Sequence, residues 1–155
     1  MYVLIVEDDY IQWGALREAL EKALRRKIPE LRVERIATEE RFRAALADIV
    51  RNPPDVIIMD VMLRWADAGE RLPEAPEEVR REGYRRAGVR CRRLIADNPA
   101  TRDIPVILYT VLEESDLRED TGVESESVYL PKNSSIGPLL TKIQLVTVGR
   151  KPPPR

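Results

Sequence analysis

Four acids, one hydroxyl and one amine stand just beyond the ends of short strand-like runs in this chain. Glu7, Asp8 and Asp9 follow Tyr2–Val6, Asp60 follows Val56–Met59, Thr110 closes the run at 106–109, and Lys132 follows a weaker run at 127–130 through Pro131. Carboxylates held close together repel, so such a set either takes up a proton or binds a cation. Oxygen donors without histidine or cysteine suit a hard ion. Magnesium is favoured over calcium, because few protein ligands and retained waters suit the smaller ion. A magnesium ion beside a carboxylate permits phosphoryl transfer onto that carboxylate. An ammonium and a hydroxyl can then hold the remaining phosphoryl oxygens.

Only a fold that brings these strand ends to one edge can join them. Tyr2–Val6, Val56–Met59 and 106–109 are nearly unbroken apolar runs, as expected for strands covered on both faces. The runs at 31–36 and 127–130 are more polar, which suits edge strands. Between the runs lie helical patterns. Asp9 can cap a first helix with Gln12 answering it, and Ile11, Ala15, Leu16, Ala19, Leu20, Ala23 and Leu24 form its apolar face. Thr38 can cap a second, with Glu39 and Glu40 placed to suit its dipole and Phe42, Ala45, Leu46, Ile49 and Val50 facing inward. Tyr84, Ala87, Cys91, Leu94 and Ile95 make a third stripe, stopped near Asn98 and Pro99. A weak fourth helix covers 113–121, and Ile136, Leu139, Leu140 and Ile143 mark a fifth.

Strand and helix thus alternate five times. That pattern predicts an α/β fold: a doubly wound parallel sheet of five strands in order 2-1-3-4-5 with five helices, a flavodoxin-like three-layer sandwich. In such sheets ligands sit at the carboxyl ends of the strands, where the acids, Thr110 and Lys132 fall. Residues 1–148 read as one domain and 149–155 as a flexible tail. Residues 61–87 are a long insertion after the third strand, able to form a charged helical turn or two near 77–86. Trp65 within it is the better candidate for partner contact, while Trp13 is placed either near the site or over the core. Cys91, on its apolar stripe, reads as a small buried hydrophobe.

Composition removes several function classes. Lysine and arginine number 26 against 27 acids, a formal charge of −1, so no direct nucleic-acid partner is expected. There is no histidine, which excludes Ser-His and Cys-His nucleophile pairs, and one cysteine, which excludes an internal disulfide. No apolar stretch approaches the roughly 20 residues of a membrane span, and MYVLIV is too short for a signal peptide, so a cytoplasmic protein with no membrane partner is expected.

VLIVEDD, DVIIMD, PVILYT and YLPK, in this order, resemble the signature strands of response-regulator receiver domains over nearly the whole chain. The resemblance implies a phosphoacceptor at Asp60, which takes its phosphoryl group from a sensor histidine kinase or a phosphotransfer protein. Glu7 and Asp8 correspond to the acidic pair, and Asp8, Asp60 and the backbone carbonyl of Met62 to the ligands of magnesium. Thr110 corresponds to the switch hydroxyl, Tyr129 to the switch aromatic and Lys132 to the conserved-type lysine. It further implies a downstream protein effector, or a second copy of the chain, docking on the fourth helix, fifth strand and fifth helix; Leu145 and Val148 are spare apolar groups there.

Three departures stand out. Asn133 follows the lysine where the family has proline, Arg64 replaces a proline shortly after the acceptor, and the loop beyond it is long. Two other functions stay open. An aspartyl-nucleophile phosphatase would want an aspartate where Met62 stands, as general acid. A degenerate receiver would bind a partner without being phosphorylated. No output domain is expected after the fifth helix.

Overall fold

Strand register explains how the dispersed residues meet. The computed structural model describes residues 1–69, 73–121, 129–132 and 135–148. Five parallel strands, β1 (Tyr2–Val6), β2 (Arg32–Ile36), β3 (Val56–Met59), β4 (Val106–Thr110) and β5 (Tyr129–Pro131), lie in the order β2-β1-β3-β4-β5. β1 and β3, all apolar and buried apart from Tyr2, are central, while β2 is mostly half-exposed at the edge. Val6 pairs with Met59, Met59 with Leu108 and Thr110 with Pro131, so the next residues, Glu7, Asp60 and Lys132, leave the sheet at one edge beside Thr110. Backbone bonds from Asp60 N to Val6 O (2.9 Å) and from Lys132 N to Thr110 O (2.9 Å) carry the pairing past the strand ends.

Two cores sandwich the sheet. On one side Leu16, Leu20 and Leu24 of α1 (Tyr10–Leu24) and Leu139 and Ile143 of α7 (Ile136–Thr147) cover Val3, Ile5, Ile58 and Ile107. On the other, Phe42, Ile49, Cys91 and Ile95 cover Leu4, Val6, Ile57, Met59 and Leu108. Those four come from α2 (Glu39–Ala44), α3 (Leu46–Arg51) and α5 (Ala87–Asp97). Cys91 is the buried hydrophobe expected of it, and burial pushes its thiol pKa far above the ordinary value.

The described residues hold seven α-helices where five were expected. The second expected helix is split: Ala45 closes α2 and, at φ −82° and ψ −4°, opens α3. The insertion supplies α4 (Glu77–Glu82) and a 3-10 turn (Tyr84–Arg86) that leads into α5; the fourth expected helix is α6 (Glu114–Thr121). Gly83 lies between α4 and the turn at φ 72°, left-handed backbone that favours glycine. Three large side chains placed on apolar stripes are exposed instead: Ile11, Val50 and Tyr84. Ile11 is 80% exposed instead of facing inward, and its place in the core is taken by Trp13, packed against the α1 cluster. Trp65 is half-buried, its indole donating to Pro73 O (2.8 Å), so it fastens the insertion to itself. Glu39 lies in the first turn of α2, as expected for the dipole, and is fully buried. The run at 127–128, the residue pair Lys132–Asn133 as a peptide and the tail at 149–155 lie outside the described residues.

Candidate functional site

Lys132 is the centre of the site. Its Nζ donates to Glu7 Oε2 (2.6 Å), Asp60 Oδ2 (2.6 Å) and Gln12 Oε1 (2.9 Å). The three side chains of the ion cluster are nearly buried. The Lys132 ammonium thus stands between the two carboxylates and offsets part of their repulsion. Asp60 divides its two oxygens. Oδ1 accepts from the amides of Val61 (2.6 Å) and Met62 (3.3 Å), and Oδ2 faces Lys132. Thr110 is fully buried at the end of the neighbouring strand, its Oγ1 accepting from Leu112 N at 3.4 Å. A cavity of about 260 Å³ opens beside Glu7 and Lys132, walled by Gln12, Leu16, Tyr109 and Ile136.

Two carboxylates share one ammonium, which leaves the cluster one negative charge in excess. Burial pushes the Glu7 pKa up, and the Lys132 ammonium beside it only partly offsets this. Burial works against the charge of Lys132 too, but Asp60 and Glu7 outweigh it and hold the lysine pKa above its ordinary value. A carboxyl whose pKa is raised by folding binds more protons folded than unfolded, so its contribution to stability falls as pH rises through that window. The stability of the parent relative to Glu7→Gln should therefore decline from about pH 4, the ordinary glutamate range, toward neutrality. Urea titrations of both proteins at several pH values check this; a difference that grows with pH contradicts it.

Asp8 sits apart from the cluster. Its Oδ2 accepts from Arg64 N (3.1 Å), and its carbonyl oxygen accepts from the guanidinium groups of Arg35 (2.9 Å) and Arg64 (2.8 Å). Asp9 caps α1 as expected, Oδ1 accepting from Ile11 N and Gln12 N. Gln12 does not return the bond. Its amide oxygen goes to Lys132, and Glu7 Oε1 accepts from Asp9 N instead (3.0 Å). Tyr129 is half-buried, its hydroxyl donating to Leu112 O (2.7 Å), so it already reaches the loop that follows Thr110.

The donor types fit a hard divalent cation: Glu7, Asp8 and Asp60 offer carboxylate oxygens and Met62 a backbone carbonyl on the same edge. Among the described residues no three acids gather around one point, because Lys132 stands between two of them and Asp8 is engaged by Arg64.

Four further residues take part; the sequence marks Gln12 only as a capping partner and Arg64 only as a departure from the family pattern, and Arg35 and Gly88 not at all. Gln12 is placed by the turn that Asp9 caps, one helical turn from the acids. Arg35 and Arg64 each needed the fold to reach Asp8. Gly88 lies against the acceptor itself: a Cβ added there would stand 2.0 Å from Asp60 O and 2.8 Å from Val61 Cα, while its amide donates to Val61 O (2.9 Å).

No family model and no curated protein matches the sequence. Solved structures do match. The signal receiver domain of a signal transduction histidine kinase from Syntrophus aciditrophicus superposes with a TM-score of 0.66 at 23% identity, over 99% of this chain and 96% of that one. The chain has the receiver fold. A signal receiver domain of a two-component histidine kinase from Clostridium thermocellum gives a TM-score of 0.67 at 16% identity, over 95% and 97% of the two chains. The signal receiver domain of a DNA-binding response regulator from Colwellia psychrerythraea 34H gives a TM-score of 0.66 at 20% identity, over 94% and 97% of the two chains. At the carboxyl edge of this fold the chain brings Glu7, Asp60 and Lys132 together. No helix among the described residues is long and apolar enough to cross a membrane.

Proposed function

We propose that this chain is a phosphoacceptor signalling domain, not an enzyme acting on a separate substrate, and that Asp60 accepts the phosphoryl group. The observation that carries this reading is the 2.6 Å ion pair between Asp60 Oδ2 and Lys132 Nζ at the carboxyl edge of the receiver fold. Amides of Val61 and Met62 hold Oδ1, which leaves Oδ2 as the attacking atom. A new O–P bond forms to Oδ2 as the donor's N–P or O–P bond breaks, and the leaving group keeps the electron pair. Lys132 and the Thr110 hydroxyl stabilise the charge spread over the phosphoryl oxygens. Magnesium, when bound through Glu7, Asp8, Asp60 and the Met62 carbonyl, would neutralise part of that charge.

The donor in this reading is a sensor histidine kinase or a phosphotransfer protein, and the receiver of the signal is a protein effector or a second copy of the chain. The fitting surface is α6, β5 and α7, where Leu145 is 73% and Val148 79% exposed. Thr110 and Tyr129 meet at the backbone of Leu112, accepting from its N and donating to its O, so a shift of Thr110 toward a phosphoryl group would be felt at Tyr129. Met62, with no transferable proton, disfavours phosphatase chemistry. A phosphorylation-independent binding module is favoured by one observation, the pairing of Lys132 with two acids already in place.

Incubation with a radiolabelled small acyl phosphate and magnesium separates these readings. The parent should label and Asp60→Asn should not, since an amide is no nucleophile. Equal labelling of both removes Asp60 as acceptor, and an unlabelled parent favours the binding module.

A further inference from the structure

Arg35 ends the inner half of β2 and Arg64 lies in the loop after Asp60, yet their guanidinium groups reach one atom. Nη2 of each donates to Asp8 O, at 2.9 Å for Arg35 and 2.8 Å for Arg64. Arg35 is fixed further by Nε donating to Glu7 O (2.9 Å), and its guanidinium lies 5.4 Å from the centres of both the Tyr10 and the Trp13 rings. Among the described residues Arg35 has no carboxylate within ion-pair reach, and Arg64 has a long pair with Asp67 at 3.8 Å. Two like charges sharing a single carbonyl oxygen repel, and a half-buried guanidinium normally finds an acid. The arrangement is one that an anion with several oxygens would complete, since planar forks bind such groups at two points each. The Arg64 amide holds the Asp8 carboxylate, so the pair sits on the loop next to the acceptor edge.

We propose that Arg35 and Arg64 form an anion site at Asp8, on the acceptor edge of the sheet, that takes a tetrahedral oxyanion of the phosphate class, the phosphoryl group of an incoming donor. This rests on the reading of Asp60 as acceptor. The site precedes transfer: the donor's phosphoryl oxygens are gathered by the two forks before the phosphorus meets Oδ2. It gives the Arg64 replacement and the rim of β2 a common purpose, and it requires no divalent ion.

Binding of inorganic phosphate in the presence of a chelator tests it without any chemistry. Trp13 emission reports on Arg35 directly, and Trp65→Phe removes the other indole. In that background, with Asp60→Asn added so that no transfer occurs, phosphate should produce a saturable change. Arg64→Ala, an exposed side chain bonded only to a carbonyl and loosely to Asp67, should weaken binding about tenfold or more, as loss of charged hydrogen bonds does. Arg35→Gln should do the same, and Lys substitutions should recover part of the loss. An affinity that ignores both arginines, or a parent that shows no saturable binding, overturns the proposal. With Asp60 restored, the arginine variants should need about tenfold more acyl phosphate for half-maximal labelling at a similar limiting rate. Phosphate binding with no labelling of the parent would defeat the acceptor reading and leave the anion site standing.

Discussion

Replacing Arg90 by methionine should remove about 3–5 kcal/mol of stability, the loss expected when one partner of a buried ion pair is left alone. Arg90 and Glu39 are 3% and 0% exposed, joined in a bidentate pair from Nε to Oε1 (2.9 Å) and from Nη2 to Oε2 (2.6 Å). The remaining donors of Arg90 reach Glu82 Oε2 (3.3 Å) and Gly83 O (3.0 Å), and Arg43 adds a second cation on Glu39 Oε1 (2.9 Å). One guanidinium thus ties α2 to α5 and both to the end of α4. Glu39 N and Glu40 N in turn donate to Arg64 O (3.1 Å) and Trp65 O (2.9 Å), the loop just beyond Asp60. The double change Glu39→Leu with Arg90→Met should recover much of the loss, because the desolvation of both charges disappears with their attraction. Denaturant unfolding of the parent, both single variants and the double variant measures the coupling. Additive losses would show that the two side chains act separately.

Gly88→Ala should be nearly as damaging and should act on the acceptor itself. The added Cβ would meet the Asp60 carbonyl oxygen at 2.0 Å, and that neighbour is backbone, which cannot rotate away. Overpacking of this kind costs about 1–3 kcal/mol or more. Relief requires α5 to retreat from β3, which would stretch the Gly88 N to Val61 O bond and turn the amides of Val61 and Met62 that hold Asp60 Oδ1. We expect a lower Tm together with slower labelling of Asp60 by a small acyl phosphate. Alanine at Gly14, where nothing lies within 4 Å, is the control and should raise Tm modestly, as alanine favours the helix over glycine, without slowing labelling. A Gly88→Ala protein with the parent's Tm would show that the close approach does not hold in solution.

The sheet was legible because its signal is local. Unbroken apolar runs such as Val56–Met59 can only be strands covered on both faces, and their number and order imply the topology. The acids, Thr110 and Lys132 were legible for the same reason, each lying at the end of such a run. What escaped is set by contacts between distant segments. Arg90 occupies an apolar helix among charged neighbours, and only its meeting with Glu39, fifty-one positions away, makes its burial tolerable. Ile11 has the right helical spacing to face inward, but the turn from Asp9 aims that first turn of α1 at solvent. Ala45 is a good helix former, and no residue type announces the break it makes; the sequence carries no local reason for it.

The central claim is that Asp60 is the residue phosphorylated. After incubation with a small acyl phosphate and magnesium, reduction with borohydride converts an aspartyl phosphate to homoserine at the residue that carried it. Peptide mass spectrometry should then find homoserine at position 60 and leave Glu7, Asp8 and Asp9 unaltered. Homoserine at position 8 or 9 with Asp60 intact would contradict the account, as would a protein unchanged at every acid.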